Sequence, residues 1–311
     1  MTGRLVAAAL GSIVVASLTA GRADAPAPRL VGEGIVSSPA DEFGGQLDAD
    51  GATLFFNRSV PRSQLYAIFT SRFERGSWTA PEVAPFSGRW RDFDAVLGGD
   101  GRRLFFISDR PNGSVRGRYR VWMLERGPSG FGEPKPLPPN VNTGDVHFAS
   151  STRDGTLYFT ASRDGNLGLV DVYRSRLLDG DYAPPENLGP PINGSGFWNL
   201  EAFVAADESF LILSAAGRPD GLGDSDLYVS FRQGGVWGPV RNLGPRVNSP
   251  ARDYSPRVVD HGRILAFASE RGLPTDPRDH AFSYRELVAG IRSVRNGLGN
   301  LYEIDLADAM P

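Results

Sequence analysis

The chain has 311 residues, 33 basic against 36 acidic side chains, no Cys, 38 Gly and 24 Pro. Hydrophobic residues at 41% and charged residues at 22% exclude a disordered chain and a multi-span membrane protein, and a net charge of -3 gives no electrostatic basis for a nucleic-acid partner. The absence of Cys removes disulfides, thiol nucleophiles and zinc–thiolate sites, while Gly plus Pro at about a fifth of the chain, above the usual usage of roughly an eighth, requires many turns.

Arg4 precedes an uncharged run over residues 5–20, rich in Ala, Val and Leu, which ends in Gly21-Arg22-Ala23-Asp24-Ala25. Charge, apolar run and small residues in that order predict a secretory signal over 1–25. The run is short for a bilayer-spanning helix of ~20 residues. An uncleaved N-terminal anchor is the alternative. Residues 26–311 then form one periplasmic or secreted bacterial domain, with no membrane insertion after cleavage.

A turn followed by a short apolar strand recurs along that domain. It reads Asp50-Gly51 before Leu54-Phe55-Phe56, Asp100-Gly101 before Leu104-Phe105-Phe106, and Asp154-Gly155 before Leu157-Tyr158-Phe159. Asp207-Glu208 before Leu211-Ile212-Leu213 and His261-Gly262 before Leu265-Ala266-Phe267 complete the set. Leu54, Leu104, Leu157, Leu211 and Leu265 follow at intervals of 50, 53, 54 and 54 residues. An extended segment with a polar or acidic opening precedes each turn. An Arg-bearing loop follows each apolar strand (Arg58, Arg110, Arg163, Arg218, Arg271), and a third strand carries Tyr66, Trp122, Tyr173, Tyr228 or Tyr302. Four units add an aromatic and then a Pro: Trp78 with Pro81, Phe131 with Pro134, Tyr182 with Pro184, Trp237 with Pro239.

Four short strands per repeat of ~40–50 residues is the arithmetic of a propeller blade. The chain is therefore predicted to be all-β, a five-bladed β-propeller of four-stranded antiparallel blades. The fifth unit stops after its third strand. The segment from Arg29 to Val36 is similar to the missing piece, so the N-terminal strand is expected to complete the last blade and leave no raw edge.

The repeat resembles the TolB-like β-propeller repeats, a WD-like family common in exported bacterial proteins. The likeness rests on Ser38-Pro39-Ala40-Asp41-Glu42-Phe43, the Asp-Gly turns, Ser108-Asp109-Arg110-Pro111, Asp226-Leu227-Tyr228-Val229-Ser230 and Trp237-Gly238-Pro239. It implies the fold. It implies little about function, because such propellers serve as binding platforms, assembly scaffolds and enzyme supports. No segment reads as TolB's extra N-terminal domain, so TolB's role in outer-membrane assembly is not carried over.

Two sets of residues compete as a site. Glu42, Asp92, Asp145, Glu201 and Asp253 open the innermost strands and would converge on the channel, where a pair of carboxylates in unequal environments does glycoside chemistry. A feature repeated in every blade favours a structural reading, with these acids paired to the repeated Arg residues as blade-to-blade struts. Residues that break the pattern point instead to a ligand-binding face: Trp90 and Trp198 at the channel mouth and His147 where other units carry an aromatic. Tyr254 and Arg257 in the last inner strand are counted with that face. No metal-ligand spacing, cofactor motif or Gly-x-Ser-x-Gly elbow occurs. The Asp220-Gly-Leu-Gly-Asp224-Ser-Asp226 loop reads either as a calcium loop or as a turn repeated from Asp164-Gly165-Asn166. An insertion over 272–299 carries a capping box, Ser283 to Glu286, and an apolar face of Leu287, Ile291 and Val294, which predicts a short helix packed on the ring, either as a patch covering exposed apolar edge or as a lid or partner contact.

The expected function is a non-catalytic platform for an unidentified protein, peptide or glycan. The alternatives are a glycoside-acting hydrolase or lyase in the channel, and a structural component of a cell-envelope complex.

Overall fold

A computed structural model describes residues 26–60, 65–113, 117–272 and 279–311. The proposed signal over 1–25 lies outside the described residues. Five antiparallel sheets follow one another along the chain, each ordered from the axis outwards as it is met in sequence. The inner strands are Asp41–Leu47, Asp92–Leu97, Asp145–Ser151, Trp198–Val204 and Asp253–Val259. The second strands are Thr53–Ser59, Arg103–Ser108, Leu157–Ser162, Phe210–Ala216 and Ile264–Ser269. The third are Tyr66–Glu74, Arg120–Gly127, Asp171–Ser175, Asp226–Gln233 and Asn300–Asp305. This is a five-bladed β-propeller.

The turn motif explains its own recurrence. Asp50 accepts from the amides of Ala52 and Thr53, Asp100 from Arg102 and Arg103, Asp154 from Thr156, and Asp207 from Ser209. Each carboxylate closes the hairpin between the first and second strands of its blade. Gly51, Gly101 and Gly155 hold positive φ in these turns.

The outermost strand departs from expectation. Instead of one continuous fourth strand, blades one, two and four have two short pieces on the same third strand, such as Ser77–Trp78 and Glu82–Val83 on blade one. In blade three, Asp181–Tyr182 forms a small hairpin with Leu177–Leu178 before Glu186–Asn187 rejoins the sheet. The Pro residues between the pieces have no N–H to donate, so the ladder breaks there.

Closure occurs as the sequence predicts. Arg29 and Leu30 pair antiparallel with Glu303 and Tyr302, and Val31 N–H donates to the Leu301 carbonyl at 2.9 Å. The core is divided into five clusters, one between each pair of neighbouring blades. The seam between last and first blades buries Val36, Phe43 and Phe56 against Tyr254, Ala268 and Leu301. A single four-stranded sheet cannot bury both faces, so this radial stacking carries the hydrophobic stabilisation. A short terminal helix, Leu306–Ala309, was not legible in the sequence and tucks Ala309 against the same cluster as Phe267 and Tyr302.

The insertion forms the expected helix, Tyr284–Ile291, with the Ser283–Glu286 capping box in place. The packing differs from expectation. None of its residues is buried, and Ile291 is 61% exposed. The segment is moored instead by polar contacts beyond the helix, where Asn296 donates to the Pro39 carbonyl and the Gly299 amide to Asp41. No helix among the described residues is long and apolar enough to cross a membrane.

The seam makes a direct stability prediction. Val36→Asp places a carboxylate without a partner in a fully buried position and is expected to cost about 3 kcal/mol or more in urea unfolding. Arg29→Ala, which removes only the exposed pair with Glu303, should stay within ~1 kcal/mol of the parent.

Candidate functional site along the propeller axis

The repeated Arg residues are struts, and their geometry is finer than the sequence indicated. Each guanidinium reaches back to a backbone carbonyl in the segment that leads into its own blade. Arg58 donates to Ile35, Arg110 to Phe86, Arg163 to Val141, Arg218 to Ile192 and Arg271 to Val247. Most also lie over aromatic rings of the second and third strands, as Arg163 does over Phe159 and Tyr173.

Three of the five proposed channel carboxylates serve these struts. Glu42 pairs with Arg58 at 2.8 Å, Asp92 with Arg110 at 2.7 Å and Asp253 with Arg271 at 2.7 Å, and all three acids are buried. These pairs lie within a blade, not between blades. Asp145 and Glu201 are not their counterparts. In blade four the strut Arg218 meets Asn199, two residues before Glu201. In blade three the acid's place in the ladder is taken by Val146, opposite Ala161.

What gathers on the axis is a different set. Asp94, two residues after the strut acid Asp92, sits in a bulge with φ at 54° and turns its carboxylate to Arg257, 2.8 Å away. Ser255, also left-handed with φ at 50°, adds its hydroxyl to the same oxygen at 3.2 Å. Asn57 of the preceding blade clamps the bulge by accepting from the Asp94 amide and donating to the Asp92 carbonyl. Arg257 is fully buried, lies 4.4 Å from the Phe148 ring and donates its other terminal nitrogen to the Pro256 carbonyl.

Glu201 completes the cluster. It is 6% exposed, its Oε2 has no hydrogen-bond partner, and burial together with the neighbouring Asp94 charge pushes its pKa up to about 7. Two carboxylates thus lie in the field of two arginines, Arg252 and Arg257, and burial raises the pKa of both. Asp94 bonds Arg257 directly, whereas Glu201 has no direct salt bridge among the described residues. Sequence reasoning chose Glu201 and Arg257 but missed Asp94. The usable signal was the doubled acid Asp92-Phe93-Asp94, where the first blade has Gly44 and the last Ser255.

The other proposed residues are spread apart. Tyr254 is buried beneath Arg252, whose guanidinium lies 4.0 Å from its ring, and it is no surface contact. Gly299 is required beside it, since a Cβ there would stand 2.4 Å from the Tyr254 hydroxyl. His147 occupies a bulge with Nε2 3.2 Å from the Ser162 hydroxyl, and burial lowers its pKa against the opposing pull of Asp145. Trp198 is 48% exposed at the strand-start face, whereas Trp90, two blades away on that face, is half-buried beside Arg89. The Asp220 loop is the repeated turn: Asp226 accepts from the Leu222 amide and Asn242 as Asp171 does from Leu167 and Asn187. Among the described residues no three His, Asp or Glu gather as a metal site.

The opposite face, where the Asp-Gly turns converge, holds an open funnel of about 640 Å³ lined by Gln46, Leu97, Gly98, Ser151, Phe203 and Val258 among others. Gln46 is 5% and Ser151 3% exposed, and Gln46 Oε1 and Ser151 Oγ both lack a hydrogen-bond partner. A second hollow of about 800 Å³ lies on the rim of blades two and three, where Arg103 pairs with Asp100 and Lys135 with Glu125.

No protein-family model and no curated protein matches the chain. Solved structures do. A protein described as a glycoside hydrolase aligns with TM-score 0.53 and 9% identity over 92% of each chain. A structure described as a complex of BT0996 with RGII aligns with TM-score 0.53 and 9% identity over 91% of this chain and 92% of that one. The likeness is one of fold. A puromycin-hydrolysing peptidase of Mycobacterium tuberculosis aligns at 15% identity and TM-score 0.42 over 83% of this chain, which spans only 41% of that protein's length.

Glu201 ties stability to pH. Its folded pKa of about 7 stands above the ordinary 4.5, so its contribution is full below the ordinary value and is lost as pH rises through about 7. Glu42, Asp92, Glu270 and the neighbouring Asp94 are also raised by burial, so the readout is a difference. Between pH 5 and pH 8 the parent should lose more stability in urea unfolding than Glu201→Gln does. Equal losses would remove Glu201 from the account. Arg257→Met, which strands Asp94, should cost ~3–5 kcal/mol, and adding Asp94→Asn should recover part of that loss.

Proposed function

We propose that this propeller is a non-catalytic binding platform, a TolB-like repeat protein of the periplasm or the cell exterior, and that its ligand enters the turn-side funnel. One contrast carries the reading. On the axis Asp94 is shut in against Arg257 and Glu201 is buried without a salt bridge, while the open funnel keeps two buried polar atoms unsatisfied. Buried polar groups nearly always have a partner, so atoms left without one in the wall of a concavity are what a ligand would meet.

A second reading has one observation in its favour. Glu201, with a free Oε2 and a pKa near neutrality, has the properties of a general acid, and Asp94, bonded to Arg257, stands beside it as a second carboxylate. A hydrolase of this kind needs substrate to reach the axis, and every carboxylate there is more than nine-tenths buried.

The two readings separate experimentally. The purified domain, screened by thermal shift against small polar ligands and by reducing-end release on polysaccharides, is expected to bind without turnover. Gln46→Met should abolish the shift and Trp198→Ala should leave it unchanged. Turnover lost in Glu201→Gln would establish the hydrolase instead, and binding lost only in Trp198→Ala would move the site to the strand-start face.

A further inference from the structure

We infer that the funnel recognises a neutral, hydroxyl-rich ligand, a carbohydrate unit rather than an ionic one. This rests on the funnel being the binding site and adds the chemistry of what it takes.

The charges of the funnel sit at its exposed rim or are paired. Asp48 is held by Arg126 and Asp260 by Arg263. The remaining charged lining side chains, Asp207 and Arg153, are exposed, as is His261, and solvent and salt screen their attraction for an ionic ligand.

The buried wall is neutral and specific. Gln46 Nε2 donates to the Leu47 carbonyl at 2.7 Å, which fixes the amide orientation and leaves Oε1 as an acceptor in want of a donor. Ser151 uses its carbonyl to accept from the Gly99 amide, and its hydroxyl stays free to give or to take a proton. Gly98 lies close against that hydroxyl, and a Cβ there would stand 2.8 Å from Ser151 Oγ. Phe203 lines the same space half-buried and belongs to none of the five inter-blade clusters. Leu97 and Val258 extend its apolar surface.

An acceptor, a hydroxyl and an aromatic surface without buried charge match the two sides of a pyranose. Sugar hydroxyls both donate and accept, and so satisfy Gln46 and Ser151 together, while the C–H face of the ring packs on Phe203. A carboxylate or phosphate would meet the Gln46 carbonyl oxygen with no buried cation to offset it. The volume lies within the ~300–1,000 Å³ common for small-molecule sites.

The test is calorimetric titration and saturation-transfer NMR on the domain with glucose, galactose, mannose and cellobiose. Glucuronic acid, glucosamine and a neutral tetrapeptide are run alongside. A neutral sugar should bind, and Gln46→Met, Ser151→Ala and Phe203→Ala should each weaken it by about tenfold or more. Urea unfolding checks that each variant is folded, and Ser151→Ala, the smallest change, decides the matter if another is not. Binding of only the charged sugars or the peptide, sensitive to the same variants, would overturn the carbohydrate inference and leave the platform reading standing. Neutral-sugar binding indifferent to all three variants would overturn the inference. If no probe of any class binds in the funnel, both readings fall together.

Discussion

Everything in this ring depends on how one blade is tied to the chain that enters it, and a guanidinium makes that tie five times. In each blade an arginine at the end of the second strand or in the loop after it donates to a carbonyl of the incoming segment, from Ile35 to Val247. A hydrogen bond from a charged donor contributes ~1.5–3 kcal/mol, and arginine offers several donors in a fixed planar array. One side chain therefore binds the connector, covers aromatic rings and, in three blades, neutralises an inner-strand acid. Without disulfides, this repeated tie and the N-terminal closing strand resist opening of the ring.

The same economy explains why chemistry is sparse. An acid used as a strut in blades one, two and five is unavailable for anything else, since removing its arginine would leave a buried charge. Function is left to positions where the repeat is broken. Asp94, Ser255 and Glu201 are such positions on the axis, and two of them adopt a left-handed backbone that non-glycine residues rarely take. Gln46, Ser151 and Phe203 are such positions at the turn-side mouth. The former make a closed polar plug. The latter face an open concavity, and that difference in access underlies the assignment of roles.

Much of this was legible before any coordinates. Leu positions at a steady interval, Asp-Gly turns and the truncated fifth unit were sufficient to predict five blades and the strand contributed by Arg29 and Leu30, because hairpins are governed by local rules of alternation and turn chemistry. The acid–arginine pairing was legible for Glu42, Asp92 and Asp253 for the same reason. It failed for Asp145 and Glu201, where bulges at His147 and between Asn199 and Glu201 shift the register by a residue. The insertion helix was predicted down to its cap, yet its apolar face was wrongly assigned to the ring. Periodicity specifies a face but not what the face meets.

The sequence by itself determined the period, the fold class and the closure, since each is written in contacts between residues near in the chain or repeated at fixed spacing. Tertiary structure alone decided which acid reaches the axis, which carboxylate keeps its proton near neutrality, and which mouth stays open. Those properties arise where strands from different blades converge, and burial and charge there are sums over neighbours far apart in the chain, as between Asp94 and Arg257 at a separation of 163.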